Sequence, residues 1–496
     1  MTVAPGPDLG GATLPGPALG LLIGGELVDG GAEPICPVDP ATGRPGEAHA
    51  AATAADVARA CFAAEAAHRA RNWAEMAPPA RAAVLRRISE LIMGNREALA
   101  LTQMRQNGKG ITECRAQATK AAEVFTYYAA VVETQEAELT PPRGDYLSMT
   151  VYEPYGVVAL ITPWNSPLTL DAQKLAPALA AGNAVVLKPS EVTPGVGLML
   201  GKLCAAAGVP AGAINVVNGR GGEIGDALVG DPRVRMISFT GGTATGRRIA
   251  EAAGRRLVPV SLELGGKSPH IVFADADIDA AAQTVADGIF VSMGQSCVAG
   301  SRLLVERRVH AQVLERVAAH AARFRVGRPT EPETELGPMA TFAQRDIVEA
   351  HVADTVAAGG RVVAGGARPE APELADGAYY LPTVVDGVRP DFRLAQEEVF
   401  GPVLAVMAFE DEDELIAMAN GTAFGLAAGV WTRDFPKAWR VARRLEAGTV
   451  WINSYKLLSI STPFGGVKDS GLAREKGPRG LRLYQEPKGI YVGLGG

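Results

Sequence analysis

The chain has few cysteines, and neither its cysteines nor its histidines form pairs of the kind that bind metals. Its 496 residues include five cysteines, which are widely spaced and form no C-x-x-C pair. The six histidines show no H-x-x-x-H spacing. The odd cysteine count and this spacing argue against a disulfide framework and a thiolate zinc site, so we expect no metal and a reducing cytoplasm.

Strong charge and long apolar runs are also missing. The net charge of −6 and the 6% of aromatic residues, which do not alternate with basic runs, argue against nucleic acid or an anionic membrane as a partner. No apolar run is long enough to span a bilayer without charges. Residues 1–20 are rich in Gly and Pro and have Asp8 as their only charge. They lack the features of a signal peptide, so we expect a disordered leader on a cytoplasmic protein.

Strands and helices alternate through the middle of the chain. Apolar runs predict strands at residues 157–161, 184–187, 214–217, 236–239 and 258–264, with helices at 197–207, 225–229 and 241–253. This βαβαβ order predicts a parallel sheet with right-handed crossovers. Helices are also predicted at residues 51–67 and 78–138. A second α/β region, residues 268–455, has predicted helices at 277–291, 311–324 and 343–358, and the tail at 481–492 is predicted to add an edge strand.

A possible nucleophile, Cys297, follows a glycine turn in Gly294-Gln295-Ser296-Cys297. Taken alone, such a cysteine is more often structural than catalytic. Two other residues favour the catalytic interpretation. Glu263 is a carboxylate within an apolar, glycine-flanked stretch, and Asn165 follows a predicted strand end. Together they supply a nucleophile, a base and an amide donor. The alternatives are a buried acid satisfied by backbone donors for Glu263 and a turn cap for Asn165.

The dinucleotide fingerprint G-x-G-x-x-G has no clean copy here. Residues 219–225 are rich in glycine but have the wrong spacing, and residues 241–246 lie between a predicted strand and helix with a different pattern. Backbone N–H groups at 241–246 can bind a pyrophosphate, or the segment can be a tight turn with a threonine cap. The sequence leaves both interpretations open.

Two pairs of residues are candidate ribose contacts. Lys188 and Glu191 follow the carboxyl end of a predicted strand, where open parallel sheets bind ligands. Glu191 would repel a 2′-phosphate, which favours NAD over NADP. Glu398 can hold a second ribose, with Phe400 packed on a nicotinamide. The alternatives are a solvated helix start and a charged turn before a core aromatic residue.

Seven segments, in this order, resemble the aldehyde dehydrogenase superfamily from about residue 51 to the C-terminus. They are Pro163-Trp164-Asn165, Lys188-Pro189-Ser190-Glu191, Phe239-Thr240-Gly241, Leu262-Glu263-Leu264-Gly265-Gly266, Gly294-Gln295-Ser296-Cys297, Glu398-Val399-Phe400-Gly401-Pro402 and the run at 463–471. The resemblance implies an α/β fold with a parallel-sheet dinucleotide-binding domain at 21–140 and 159–267. It also implies a second α/β catalytic domain at 268–479 and a small β oligomerisation arm at 141–158 and 480–496.

The resemblance also implies the activity and the site residues. The expected reaction is NAD-dependent oxidation of a small aldehyde to a carboxylic acid in a homodimer or homotetramer. Cys297 would be the nucleophile, Glu263 the base that activates water against the thioester, and Asn165 the oxyanion donor. The implied cofactor contacts are Ile161, Thr162, Pro163, Trp164, Lys188, Ser190, Glu191, Gly225, Phe239, Gly241, Thr243, Leu264, Glu398 and Phe400. Rival activities are CoA-dependent acylation and thiol esterase chemistry.

Three positions depart from the pattern of the superfamily, and the substrate is open. Gly242 stands where serine is frequent, Ser292 where asparagine is frequent, and Ala473 where glycine is frequent. None of these changes removes a chemical role. The implied substrate tunnel contains no arginine for a carboxylate and no aromatic cage for a quaternary ammonium, so a neutral aldehyde is expected. Its implied lining is Ser166, Leu170, Gln173, Met293, Tyr455 and Leu458.

Overall fold

The structure is a computed structural model that describes residues 20–494. The predicted leader at residues 1–20 therefore lies, except for Gly20, outside the described residues. The fold is α/β, as predicted, and contains two large sheets with helices on both faces. Among the described residues, no helix combines the length and the apolar character that crossing a bilayer requires.

The first sheet has eight strands and holds most of the candidate site. Its five middle strands are parallel, as predicted, and the strands that flank these five, Leu21–Ile23 and Gly471–Leu472, run antiparallel to them. The middle strands read as continuous apolar runs because helices cover both faces of the sheet. In spatial order the strands are Glu26–Val28, Leu21–Ile23, Ile214–Val216, Ala184–Lys188, Val157–Ile161, Val234–Thr240, Val260–Glu263 and Gly471–Leu472.

The second sheet has seven strands and forms its own hydrophobic core. All of its strands run parallel except the edge strand Arg361–Ala364. In spatial order they are Arg361–Ala364, Thr383–Asp386, Val403–Phe409, Arg302–Glu306, Pro269–Val272, Ala427–Trp431 and Thr449–Ile452.

A separate three-stranded antiparallel sheet is formed by Glu138–Thr140, Tyr146–Pro154 and Gln485–Gly493. The tail therefore adds a strand, as predicted, and it pairs with Tyr146–Pro154, the strand that follows the predicted break at Pro141. Two short pairs complete the strands: Ala32–Ile35 with His49–Ala51, and Phe424–Gly425 with Val467–Lys468.

The helix predicted over residues 78–138 is three helices. Gly108, in the left-handed conformation at φ 74°, caps one of them, because glycine adopts this conformation without the strain that a side chain brings. The α-helices are Ala54–Arg69, Pro78–Gly94, Arg96–Asn107, Ile111–Glu133, Pro167–Ala180, Pro194–Ala206, Gly221–Gly230, Thr243–Arg256, Ile278–Phe290, His310–Ala321, Phe342–Ala357, Arg393–Gln396, Glu412–Asn420, Phe435–Arg444 and Gly477–Arg482. Single 3-10 turns are at Val291–Gly294, Arg307–Val309 and Pro372–Leu374.

Candidate active site

Cys297 follows a strained turn. Helix Ile278–Phe290 ends and the chain enters the 3-10 turn Val291–Gly294, in which Ser292, Met293 and Gly294 have φ of 63°, 56° and 65°. A Cβ at Gly294 would lie 2.0 Å from the carbonyl oxygen of Gly401, so only glycine fits there. Strain of this kind is concentrated at functional sites.

The departure at Ser292 falls on one of these left-handed positions. Asparagine tolerates that conformation better than serine does, so the serine adds strain to the turn. The Ser292 hydroxyl donates a hydrogen bond to a carboxylate oxygen of Glu113, which also accepts from Lys109 at 2.6 Å. Helix Ile111–Glu133 therefore supports the cysteine turn through Glu113.

Asn165 reaches the cysteine loop directly. Its Nδ2 donates to the backbone carbonyl of Gln295 at 3.0 Å, and the Gln295 side-chain oxygen accepts from the N–H of Ala340 at 2.9 Å. The side-chain amide of Asn165 is therefore hydrogen-bonded to the loop that carries Cys297, which is distant in the sequence. Because Nδ2 has two hydrogens, one remains for a ligand at the sulfur.

Glu263 ends strand Val260–Glu263 and is buried, with 5% of its surface exposed. Within residues 20–494, neither of its carboxyl oxygens has a hydrogen-bond partner. Burial, and secondarily the nearby Glu475, raise the pKa of Glu263 well above its ordinary value. The alternative of an acid satisfied by backbone donors is therefore wrong. Gly465 keeps room beside this acid, because a Cβ there would lie 2.7 Å from Glu263 Oε1.

The thiol of Cys297 is half-buried. Burial raises its pKa to about 12, and the carboxyl groups of Glu263 and Glu398 act in the same direction. At neutral pH the sulfur is therefore protonated in the free chain. A nucleophilic cysteine must lose this proton, so the site needs a base or a compensating positive charge.

One cavity of about 320 Å³ brings the three candidate catalytic side chains together. Asn165, Glu263 and Cys297 all line it, with Leu264, Glu398 and Phe400 among the other lining residues. The carboxylate of Glu398 accepts from the N–H of Gly266 at 3.0 Å, and burial raises its pKa to about 7.

A second cleft, of about 410 Å³, lies at the carboxyl ends of the parallel strands of the first sheet. Pro163, Trp164, Thr240, Gly241 and Gly242 line both cavities, so the two are continuous. Ten of the predicted cofactor residues line the larger cleft: Ile161, Thr162, Pro163, Trp164, Lys188, Ser190, Glu191, Gly225, Phe239 and Gly241.

Thr243 lines neither cavity, although the sequence analysis predicted a cofactor contact for it. Its hydroxyl donates to the backbone carbonyl of Asp469 at 3.3 Å. Thr245, two residues further along the chain, lines the cleft.

The larger cleft has the features of a nucleotide site. Helices Gly221–Gly230 and Thr243–Arg256 both begin at it, and helix N-termini favour phosphate. The buried hydroxyl of Thr240 has no hydrogen-bond partner within the described chain. Lys188 Nζ lies 3.6 Å from Glu191 Oε2, and burial lowers the pKa of Lys188. The cleft therefore offers donors and acceptors for the phosphates and ribose of a dinucleotide.

Several residues of the cleft were missed by the sequence analysis. They include Gly221, Gly222, Asp226, Val229, Arg248 and Ile249. The glycine-rich segment 219–225 was the signal for part of this cleft. Its spacing does not match the dinucleotide fingerprint, and this argued against a nucleotide contact there. A Cβ at Gly222 or Gly242 would meet nothing within 4 Å. Serine in place of Gly242 would therefore fit without displacing a neighbouring residue.

A buried ion pair next to Glu263 was also missed. Lys174 Nζ lies 2.5 Å from a carboxylate oxygen of Glu475, and both side chains are buried. Gln173, which the resemblance placed in the substrate tunnel, donates to Glu475 at 2.6 Å. Glu475 is the same residue that raises the pKa of Glu263. The ion pair with Lys174 holds the Glu475 carboxylate in place near Glu263.

The comparison with families agrees with this geometry. The model described as "Aldehyde dehydrogenase family" matches residues 28–490. The chain belongs to the aldehyde dehydrogenase family. This membership confirms the resemblance seen in the sequence.

Relatives in the family carry different substrate names. A betaine aldehyde dehydrogenase of Cereibacter sphaeroides is 45% identical over 424 residues, 85% of this chain and 86% of that protein. A betaine aldehyde dehydrogenase structure from Staphylococcus aureus, in complex with NAD+, has a TM-score of 0.95 at 36% identity and covers 97% of this chain and 96% of that one. An indole-3-acetaldehyde dehydrogenase of P. syringae has a TM-score of 0.95 at 38% identity, with 97% and 98% covered.

Proposed function

We propose that this chain, an aldehyde dehydrogenase by family, uses NAD to oxidise an aldehyde to a carboxylic acid through a thioester on Cys297. The observation that carries the proposal is the cavity that Cys297, Glu263 and Asn165 share and that opens into the nucleotide cleft. The S. aureus relative in complex with NAD+ supports the choice of cofactor.

The residues of the cavity divide the reaction into two steps. The Cys297 thiol gives its proton to a water molecule, and the resulting thiolate forms a bond to the aldehyde carbon. The carbonyl oxygen becomes an oxyanion, which the Asn165 amide and the Cys297 backbone N–H stabilise. Bound NAD supplies the acceptor for the hydride that leaves this carbon, and the carbon–oxygen double bond reforms as a thioester.

Glu263 acts in the second step. It takes a proton from a water molecule whose oxygen attacks the thioester carbon, and the carbon–sulfur bond breaks to release the carboxylic acid. An unpartnered carboxyl group with a raised pKa suits this role near neutral pH. The same residue favours water over CoA as the acceptor, because it serves to activate water.

The test is NADH absorbance with a small neutral aldehyde, with and without CoA, together with identification of the product. Carboxylic acid with a CoA-independent rate supports the proposal. An acyl-CoA product would show the acylating alternative, and ester hydrolysis without any NADH would show the thiol esterase.

Replacing Asn165 with alanine should lower kcat by about 10²- to 10³-fold, the usual effect of losing one oxyanion donor. The same change removes the bond to Gln295. Iodoacetamide labelling of Cys297 separates the two effects, because a displaced loop changes the labelling rate and a lost donor does not. A near-normal kcat would contradict the donor role.

Replacing Glu191 with glutamine should raise kcat/KM for NADP by about tenfold relative to NAD, because a fixed negative charge facing the ribose is removed. Glu191 accepts from the N–H of Gly221 at 3.4 Å, and glutamine preserves that acceptor. Initial rates with both cofactors measure the change. An unchanged NADP to NAD ratio would show that Glu191 does not set the preference.

We also propose a cytoplasmic homodimer or homotetramer assembled through the three-stranded sheet. The side chains of Leu139, Tyr491 and Val492 on its strands are exposed, and a cluster of exposed apolar residues is typical of a contact surface. Light scattering during gel filtration measures the assembly, and a monomer would contradict the proposal.

A further inference from the structure

Two lysine side chains near Cys297 make no hydrogen bond or ion pair with any residue from 20 to 494. Lys476 is 9% exposed, and its Nζ lies 4.7 Å from the centroid of the Phe464 ring. Lys456 is half-buried and follows Tyr455. Phe464 and Tyr455 both belong to the apolar cluster against which Cys297 packs. A buried ammonium without a carboxylate partner is rare, because desolvation of the charge is unfavourable.

This aromatic cluster is separate from the nucleotide cleft. Its rings, from Trp451, Tyr455 and Phe464, line neither the nucleotide cleft nor the cavity that opens into it. Gly465, which follows Phe464, places the chain beside Glu263. Cys297 therefore contacts both the cavity that opens into the nucleotide cleft and this aromatic cluster.

None of the neighbouring carboxyl groups among the described residues forms an ion pair with the two lysines. Those that face Lys456 are Glu113 and Asp287, and those that face Lys476 are Glu263 and Glu475, while Lys109 and Lys120 add positive charge. Glu113 is paired with Lys109 at 2.6 Å and Glu475 with Lys174 at 2.5 Å. Neither carboxyl oxygen of Glu263 accepts a hydrogen bond from either lysine, and Asp287 is exposed to solvent. Neither ammonium group therefore has a carboxylate bonded to it within residues 20–494.

Both lysines also have an unfavourable backbone conformation. Lys456 and Lys476 have φ of 55° and 62°, the left-handed region that residues with side chains seldom adopt. Burial lowers the pKa of Lys456 to about 8 and lowers that of Lys476. Strain and desolvation together indicate that a bound group of opposite charge completes this region.

We propose that Lys456 and Lys476 select an aldehyde that carries a carboxylate at the end of its acyl chain. The inference rests on the proposed function of Cys297, and it replaces the neutral aldehyde expected from the sequence. It also disfavours a cationic aldehyde. Lys476 occupies a face of the Phe464 ring, and aromatic faces are what a quaternary ammonium needs.

Alkylation of Cys297 tests the charge without any turnover. Iodoacetate and iodoacetamide differ by one negative charge and react with the same thiolate, so the ratio of their rates does not depend on the thiol pKa. The exposed Cys36 provides an internal reference in the same mass spectra. We expect the iodoacetate to iodoacetamide ratio at Cys297 to exceed that at Cys36 by about tenfold. An equal or smaller ratio would overturn the proposal.

Variants assign the effect to the two lysines. Lys456→Met and Lys476→Met should each lower the Cys297 ratio by about three- to fivefold, and Lys456→Arg and Lys476→Arg should keep it high because the charge is retained. Lys488→Met is the matched control, since Lys488 lies on the outer strand Gln485–Gly493 and pairs with Glu153. A ratio that stays unchanged in both methionine variants would overturn the assignment.

A third experiment measures NADH formation by the holoenzyme from 4-oxobutanoate and from butanal. We expect a kcat/KM ratio that favours 4-oxobutanoate and falls by about tenfold in each methionine variant. A ratio that favours butanal would overturn the substrate class. Failure of the proposed function gives a different result, because then no aldehyde yields NADH while the alkylation ratio still reports the charge.

Discussion

Changing Cys297 to alanine should lower NADH formation by about 10⁴-fold or more while the chain still folds and binds NAD. Alanine cannot form the carbon–sulfur bond on which hydride loss depends. The described lining of the cavity contains no second thiol that could replace it. Because Cys297 is only half-buried, its loss leaves a small void, so the effect should fall on chemistry and not on stability.

The measurement is NADH absorbance at saturating aldehyde, with calorimetric titration of NAD into the variant. Cys36→Ala is the control, because Cys36 is an exposed thiol that lines neither cavity. A sizeable residual rate in the Cys297 variant would exclude it as the nucleophile. Loss of NAD binding together with activity would show a role in building the cleft.

The sequence predicts part of this site because of a general property of parallel sheets. Carboxyl ends of neighbouring parallel strands meet at one edge, and ligands bind there. Asn165 follows strand Val157–Ile161 and Glu263 ends strand Val260–Glu263, so their proximity follows once both strands are recognised. Cys297 is different, since it enters from the left-handed turn Val291–Gly294, and only the resemblance to a family predicted its place.

Contacts between residues that are far apart in the sequence could not be predicted from local sequence patterns. Lys174 and Glu475 pair across 301 positions, and Gly471 pairs with Glu263 as an added edge strand. A side chain's partner across such a distance leaves no periodic trace in the sequence. Helix Pro167–Ala180 was missed for a related reason, because most of its residues are buried and it lacks the apolar stripe that marks a surface helix.

The glycine-rich segment at 219–225 shows the limit of motif spacing. The fingerprint tests one geometry, in which the first strand of a sheet turns into its helix. Here the cleft uses the starts of helices Gly221–Gly230 and Thr243–Arg256. The physical requirement is exposed N–H groups at a helix start, and more than one spacing satisfies it.

Changing Glu263 to glutamine should lower steady-state kcat by about 10²- to 10⁴-fold, the usual range for loss of a general base, while a first turnover of NADH remains. Glutamine fills the same buried space but takes no proton from water, so acylation continues and hydrolysis fails. Rapid-mixing absorbance should show one NADH per site, and mass spectrometry should show the acyl group on Cys297. A lost burst would contradict the assignment of Glu263 to hydrolysis.

The pH dependence gives an independent check on the same residue. A base must be ionised to act, and burial holds the pKa of Glu263 well above its ordinary value of 4.5. The wild-type hydrolysis rate should therefore rise with pH through that raised pKa, well above pH 4.5, and then level off. The glutamine variant should lose this rise, because its side chain does not titrate. A wild-type rate that is already constant from near pH 4.5 upward would mean that the carboxylate is ionised throughout, in conflict with a buried acid whose two oxygens have no hydrogen-bond donors in the described chain.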